Sequence, residues 1–97
     1  MTFSEIIASN KPVVVDFFAE WCGPCKTMAP ILKDVKDNIG DTASIIKVDV
    51  DKNPASAQQF QIQGVPTLII FKNSKPVWRK SGVVSKQELI AAIKLHT

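Results

Sequence analysis

A chain of 97 residues, 45% hydrophobic and 22% charged, has room for one folded domain over residues 1–97 with a modest core. Its net charge of +3 is small, and Trp78 is the only aromatic among the bases gathered in residues 72–97, a pattern that speaks against nucleic-acid binding. No run approaches the roughly eighteen apolar residues of a membrane span, and Met1-Thr2-Phe3-Ser4-Glu5 lacks the basic and apolar start of a secretory signal, so a cytoplasmic protein with no membrane partner is expected.

In chain order, Thr2 and Glu5 have capping-box spacing ahead of Phe3, Ile6 and Ile7, which predicts a short amphipathic helix to about Asn10. Val13-Val14-Val15-Asp16-Phe17-Phe18 is a β-branched and aromatic run typical of a strand buried on both faces. From Pro24, Met28, Ile31, Leu32, Val35 and Ile39 recur at helical spacing and close at Gly40. Pro30 falls inside this helix and should kink it, since it cannot donate to the carbonyl of Lys26.

Ser44 to Val50 reads as a second strand, and Asn53-Pro54 as the cap and first-turn proline of a short helix to about Phe60. Thr67 to Phe71 is a third strand, Asn73-Ser74 a turn, and Pro76-Val77-Trp78 opens a fourth strand at an edge, where proline is tolerated and lysines protect. Ser85 and Glu88 form a capping box before a last amphipathic helix carrying Leu89, Ile90 and Ile93. The order is that of an α/β domain with a mixed central sheet of about four strands and helices on both faces.

Both cysteines lie in Ala19-Glu20-Trp21-Cys22-Gly23-Pro24-Cys25-Lys26, between a buried strand and a helix start. Unpaired amides and the positive end of the helix dipole favour a thiolate at Cys22, while Cys25 lies one turn away, near enough to close a disulfide. Lowering a thiol pKa from about 8.5 to about 7 raises the thiolate fraction at pH 7 about fifteenfold. Intrinsic nucleophilicity falls about fivefold over the same shift, so the net gain is only about threefold and docking must supply much of the rate. A metal site is not expected, because zinc wants about four Cys or His ligands and the chain offers two cysteines and the distant His96. In a reducing compartment such a pair points to redox chemistry rather than to a staple.

The run Asp16 to Lys26 resembles the active-site stretch of the thioredoxin family. Ala29-Pro30-Ile31-Leu32, Lys47-Val48-Asp49-Val50-Asp51, Gly64-Val65-Pro66-Thr67 and Gly82 extend the resemblance over nearly the whole chain. It implies a thioredoxin fold and a thiol-disulfide oxidoreductase that reduces protein disulfides, Cys22 attacking and Cys25 resolving. It also implies recycling by thioredoxin reductase with NADPH as electron source, no bound cofactor, monomeric action, and a part in electron transport and cell redox homeostasis.

By the same resemblance Asp16 is the buried aspartate behind the cysteines, serving proton transfer with Cys25, and Lys47 the lysine that approaches it. Strand alternation alone leaves Asp16 free to face solvent and Lys47 to be exposed. The resemblance further implies a cis bond before Pro66, substrate pairing at Val65 and Pro66, and a docking surface completed by Trp21, Gly23, Pro24, Gly82 and Val83. Phe18 in place of a tryptophan, Ser74 in place of a hairpin glycine, and a short N-terminus depart from the family pattern, and the family's first strand is expected to be absent. Gly23-Pro24 adds no positive charge between the cysteines, which points to a reductant. An oxidant or isomerase of the same fold, or a binding module using Trp21, Val65 and Val83, are the alternatives.

Overall fold

A computed structural model describes all of residues 1–97. It contains α1 (Phe3–Ile7), β1 (Val13–Phe18), α2 (Gly23–Ile39), a 3₁₀ turn (Gly40–Thr42), β2 (Ser44–Asp49), α3 (Pro54–Gln59), β3 (Thr67–Lys72), β4 (Lys75–Ser81) and α4 (Lys86–Leu95). The four-stranded sheet has the order β2-β1-β3-β4, with β1 parallel to β2, antiparallel to β3, and β3 antiparallel to β4. No strand precedes β1, so β2 forms one edge of the sheet and β4 the other.

Strand alternation divides the core in two. Val14, Leu68 and Ile70 face Met28, Leu32 and Val35 of α2 and Leu89 and Ile93 of α4. Val13, Val15, Phe17, Ile69 and Phe71 face the other way, against Ile7 of α1 and the half-buried Phe3, Phe60 and Ile62. On that second face Phe60 meets the Phe71 ring edge-on at 5.0 Å between centroids. Counting along β1 in steps of two, Asp16 shares the α2 side with Val14.

The structure corrects several boundaries. The first helix ends at Ile7 rather than near Asn10, because the carbonyls of Ile7 and Ser9 accept from Ser74 and Asn73 of the β3–β4 turn at 2.9 Å each. β2 stops at Asp49 because its carboxylate accepts from the Asp51 N–H at 2.9 Å and turns the chain. Asn53 precedes Pro54 as expected but caps nothing with its side chain, whose Nδ2 donates to the Asp49 carbonyl at 3.0 Å. Ser85 caps α4 by accepting from the Glu88 N–H at 3.1 Å, yet Glu88 does not reach back: its carboxylate pairs with Lys80 at 2.7 Å. Helix α2 runs on through Pro30 to Ile39.

Candidate active site at the turn from strand to helix

β1 delivers the chain to Ala19, and Cys22 then takes an extended conformation at the N-cap of α2. Its Sγ accepts a hydrogen bond from the Cys25 N–H at 3.1 Å, so a sulfur occupies the place where a serine or aspartate oxygen would cap a helix. Cys22 and Cys25 are joined as a disulfide with Cα atoms 5.3 Å apart. Both are buried, at 3% and 5% exposure, and pack with Ala19 against Phe18, Val50 and Val65. Gly23 and Pro24 lie exposed in the first turn between them.

Across from the disulfide, the carbonyl oxygen of Val65 is 3.6 Å from Cys22 Sγ, and the Val65-Pro66 bond is cis. The Gly82 N–H donates to the Pro66 carbonyl at 2.8 Å, and Gly82 has φ +92°, a left-handed conformation that suits glycine. Thr67 Oγ1 donates to the Gly64 carbonyl at 2.7 Å and closes the other side of the loop. Trp21 stands 72% exposed on the rim with its Nε1 donating to Asp51 at 2.8 Å, and Val83 is 44% exposed. A small pocket of about 130 Å³ opens between Trp21, Val50, Ile62 and Val65.

On the α2 side of β1, Asp16 is fully buried and neither carboxylate oxygen has a hydrogen-bond partner. Burial pushes its pKa up to about 6, against a smaller pull downward from the charge of Lys47. Lys47 is opposite Asp16 in the β1–β2 register, yet its side chain is exposed and its ammonium stands 4.6 Å over the Phe18 ring. A pocket of about 240 Å³ lined by Phe18, Cys25, Lys26, Ala29 and Lys47 opens beside this corner. No group of three or more His, Cys, Asp or Glu side chains is placed to hold a metal ion.

The thioredoxin family model matches residues 1–95 of this arrangement. The chain belongs to the thioredoxin family. A thioredoxin-like protein of Synechocystis is 48% identical over 94 residues, which cover 96% of this chain and 90% of that one. A Mycobacterium leprae protein named bifunctional thioredoxin reductase/thioredoxin is 43% identical over 88 residues, 91% of this chain but 19% of its own length. The crystal structure of Malassezia sympodialis thioredoxin superposes with a TM-score of 0.88 at 38% identity, covering 97% of this chain and 82% of that one.

Within this thioredoxin-family site Gly23 and Pro24 lie between the bonded cysteines, Val65 packs on them, Gly82 joins the loop through Pro66, Trp21 and Val83 adjoin Cys22 and Gly82 along the chain, and Lys47, opposite Asp16 in the β1–β2 register, lines a pocket with Cys25. Two neighbours escape a reading of the sequence. Asp51, which holds the Trp21 indole, sits 30 residues away in a run of acids and turn residues with no periodic signal. Arg79 reads as one more base on an edge strand, yet it reaches the segment that leads into Val65.

Proposed function

We propose that this member of the thioredoxin family reduces disulfide bonds in proteins, working as a cytoplasmic monomer in electron transport and cell redox homeostasis. The observation that carries this reading is Cys22 at the N-cap of α2, its sulfur accepting the Cys25 amide at 3.1 Å. That amide and the helix end stabilise negative charge on Cys22 Sγ once the pair is reduced.

In the reduced protein the Cys22 thiolate attacks one sulfur of a substrate disulfide docked over Trp21, Gly23, Pro24, Val65, Pro66, Gly82 and Val83. A bond forms between Cys22 and that sulfur, the substrate S–S bond breaks, and the other substrate sulfur leaves as a thiolate that takes up a proton. Cys25 then gives its proton to the Asp16 carboxylate and attacks Cys22 Sγ. The Cys22–Cys25 disulfide forms and the second substrate thiolate leaves, so two electrons have passed from the chain to the substrate. A carboxyl with a pKa of about 6 suits this proton transfer near neutral pH, and Lys47 tunes it. The oxidised pair is returned to the dithiol by an NADPH-dependent thioredoxin reductase. The bifunctional relative, whose name joins both activities, supports that choice of donor.

The neutral Gly23-Pro24 pair favours a reductant over an oxidant. Thioredoxins lie near roughly −270 mV and the strong oxidant DsbA near roughly −120 mV, a separation of about 7 kcal/mol for two electrons. The potential of the Cys22/Cys25 couple is expected near the lower value, with NADPH oxidation when the protein, a thioredoxin reductase and a disulfide-bonded protein are mixed. A potential near the oxidant's, or no coupled turnover, would sink the reading.

A further inference from the structure

Arg79 lies on β4, away from the disulfide, and its guanidinium bridges two successive backbone carbonyls at the end of α3. Nη1 donates to Phe60 O and Nη2 donates to Gln61 O at 2.8 Å. Gln61 is a non-glycine residue at φ +53°, a left-handed conformation that a side chain disfavours and that its surroundings must hold. The chain leaves this turn as Ile62-Gln63-Gly64 and arrives at Val65, whose carbonyl faces Cys22.

Two residues further along the same face of β4, Ser81 Oγ shares a 3.0 Å hydrogen bond with Thr67 Oγ1, which itself donates to Gly64 O. Next to it the Gly82 amide donates to Pro66 O. The segment from Phe60 to Pro66 is thus fastened to Arg79 directly, to Ser81 through Thr67, and to Gly82 just past β4, and Arg79 is the only charged one of the three.

We propose that Arg79 is a positioning residue: its guanidinium clamps the Phe60 and Gln61 carbonyls and so holds the loop that presents the Val65 backbone to an extended segment of the disulfide substrate. This rests on the proposed reduction of protein disulfides. A planar fork with two donors fits two adjacent carbonyls, whereas a lysine ammonium can serve one at a time. Without the clamp the loop samples positions in which the Val65 carbonyl is not aligned with Cys22, and docking suffers while the chemistry of the thiol does not.

The test uses the full chain as Arg79→Ala and Arg79→Lys, each checked for folding by circular dichroism. Amide hydrogen exchange at Ile62, Gln63 and Gly64 is expected to quicken about tenfold in Arg79→Ala and less in Arg79→Lys. With insulin as the protein disulfide, KM is expected to rise about tenfold in Arg79→Ala with kcat nearly kept. Alkylation of reduced Cys22 by iodoacetamide and the Cys22/Cys25 potential are expected to stay unchanged. Unchanged exchange in a folded Arg79→Ala, faster exchange with an unchanged KM, or a shift in Cys22 alkylation that tracks KM would each overturn the proposal. Should Arg79→Ala fail to fold, Arg79→Lys decides by the same readouts, since its ammonium can serve only one of the two carbonyls at a time. Wild-type protein that does not reduce insulin would instead remove the disulfide-reduction reading and with it the docking role, while the exchange data would still decide whether Arg79 holds the loop.

Discussion

Lys47 faces Asp16 in the β1–β2 register, but its ammonium stands over the Phe18 ring at 4.6 Å instead of closing an ion pair. The buried carboxylate is left with no hydrogen-bond donor, and the lysine acts on it only through its field. Removing that charge while keeping the stem, as Lys47→Met, is therefore expected to raise the Asp16 pKa above its value of about 6, since the pull that lowers it is lost. Titration of the Asp16 carboxyl by carbon-13 NMR measures this. A pKa that stays put or falls would show that the ammonium does not reach the carboxylate.

The same carboxylate makes stability depend on pH in a definite direction. Its folded pKa of about 6 lies above the ordinary 3.8, so between those values the folded protein holds a proton that the unfolded chain has released. Stability then falls as pH rises through this window; the penalty is absent below about 3.8 and complete above about 6, at about 1.4 kcal/mol per pKa unit or about 3 kcal/mol in all. Asp16→Asn removes the titration and is expected to be more stable than wild type at pH 8 by up to about 3 kcal/mol, with the two converging toward pH 4. Urea unfolding at the two pH values measures the difference, and a gap that does not change with pH would contradict it.

At the β3–β4 turn, Asn73 and Ser74 both have positive φ, at 53° and 69°. Asparagine tolerates the left-handed region; serine bears a Cβ that is crowded there. Ser74→Gly relieves that crowding but adds freedom to the unfolded chain, so the net gain is expected to be modest, about 0.5–1 kcal/mol. Thermal or urea melts give the number. A loss of stability would mean that the serine side chain contributes more than its backbone costs.

How much of this was legible beforehand follows the range of the interactions. Alternation and helical periodicity place Val13 to Phe18 in a central strand and Met28, Leu32 and Val35 on one face of α2, because those patterns are set by neighbours in sequence. The two capping boxes differ in how far neighbours along the chain decide them. Thr2 and Glu5 close theirs fully, while Ser85 and Glu88 close half because Lys80, on another element, takes the carboxylate. The end of α1, the Trp21–Asp51 hydrogen bond and the Arg79 clamp share this cause: each partner is chosen by the packed fold across separations that leave no periodic trace. Burial of Asp16 stands between, since alternation assigns it to the Val14 side but leaves open whether that side is covered at its position.

The division of labour between the two cysteines is open to a direct chemical test. The hydrogen bond to Cys22 Sγ comes from the backbone of residue 25, so Cys25→Ser keeps the group that stabilises a Cys22 thiolate and removes only the sulfur proposed to resolve the mixed disulfide. Reduced Cys25→Ser is expected to attack a protein disulfide once and stop as the mixed disulfide, visible by mass spectrometry as a covalent adduct on Cys22 that dithiothreitol releases. Multiple turnover should fall by roughly a hundredfold or more. Cys22→Ser leaves a thiol in the first turn, buried with Ala19 in the wild-type structure, and is expected to form little adduct. If Cys22→Ser instead trapped substrate as readily as Cys25→Ser, the attacking sulfur would have to be that of Cys25, and the placement of Cys22 at the helix end would need another explanation.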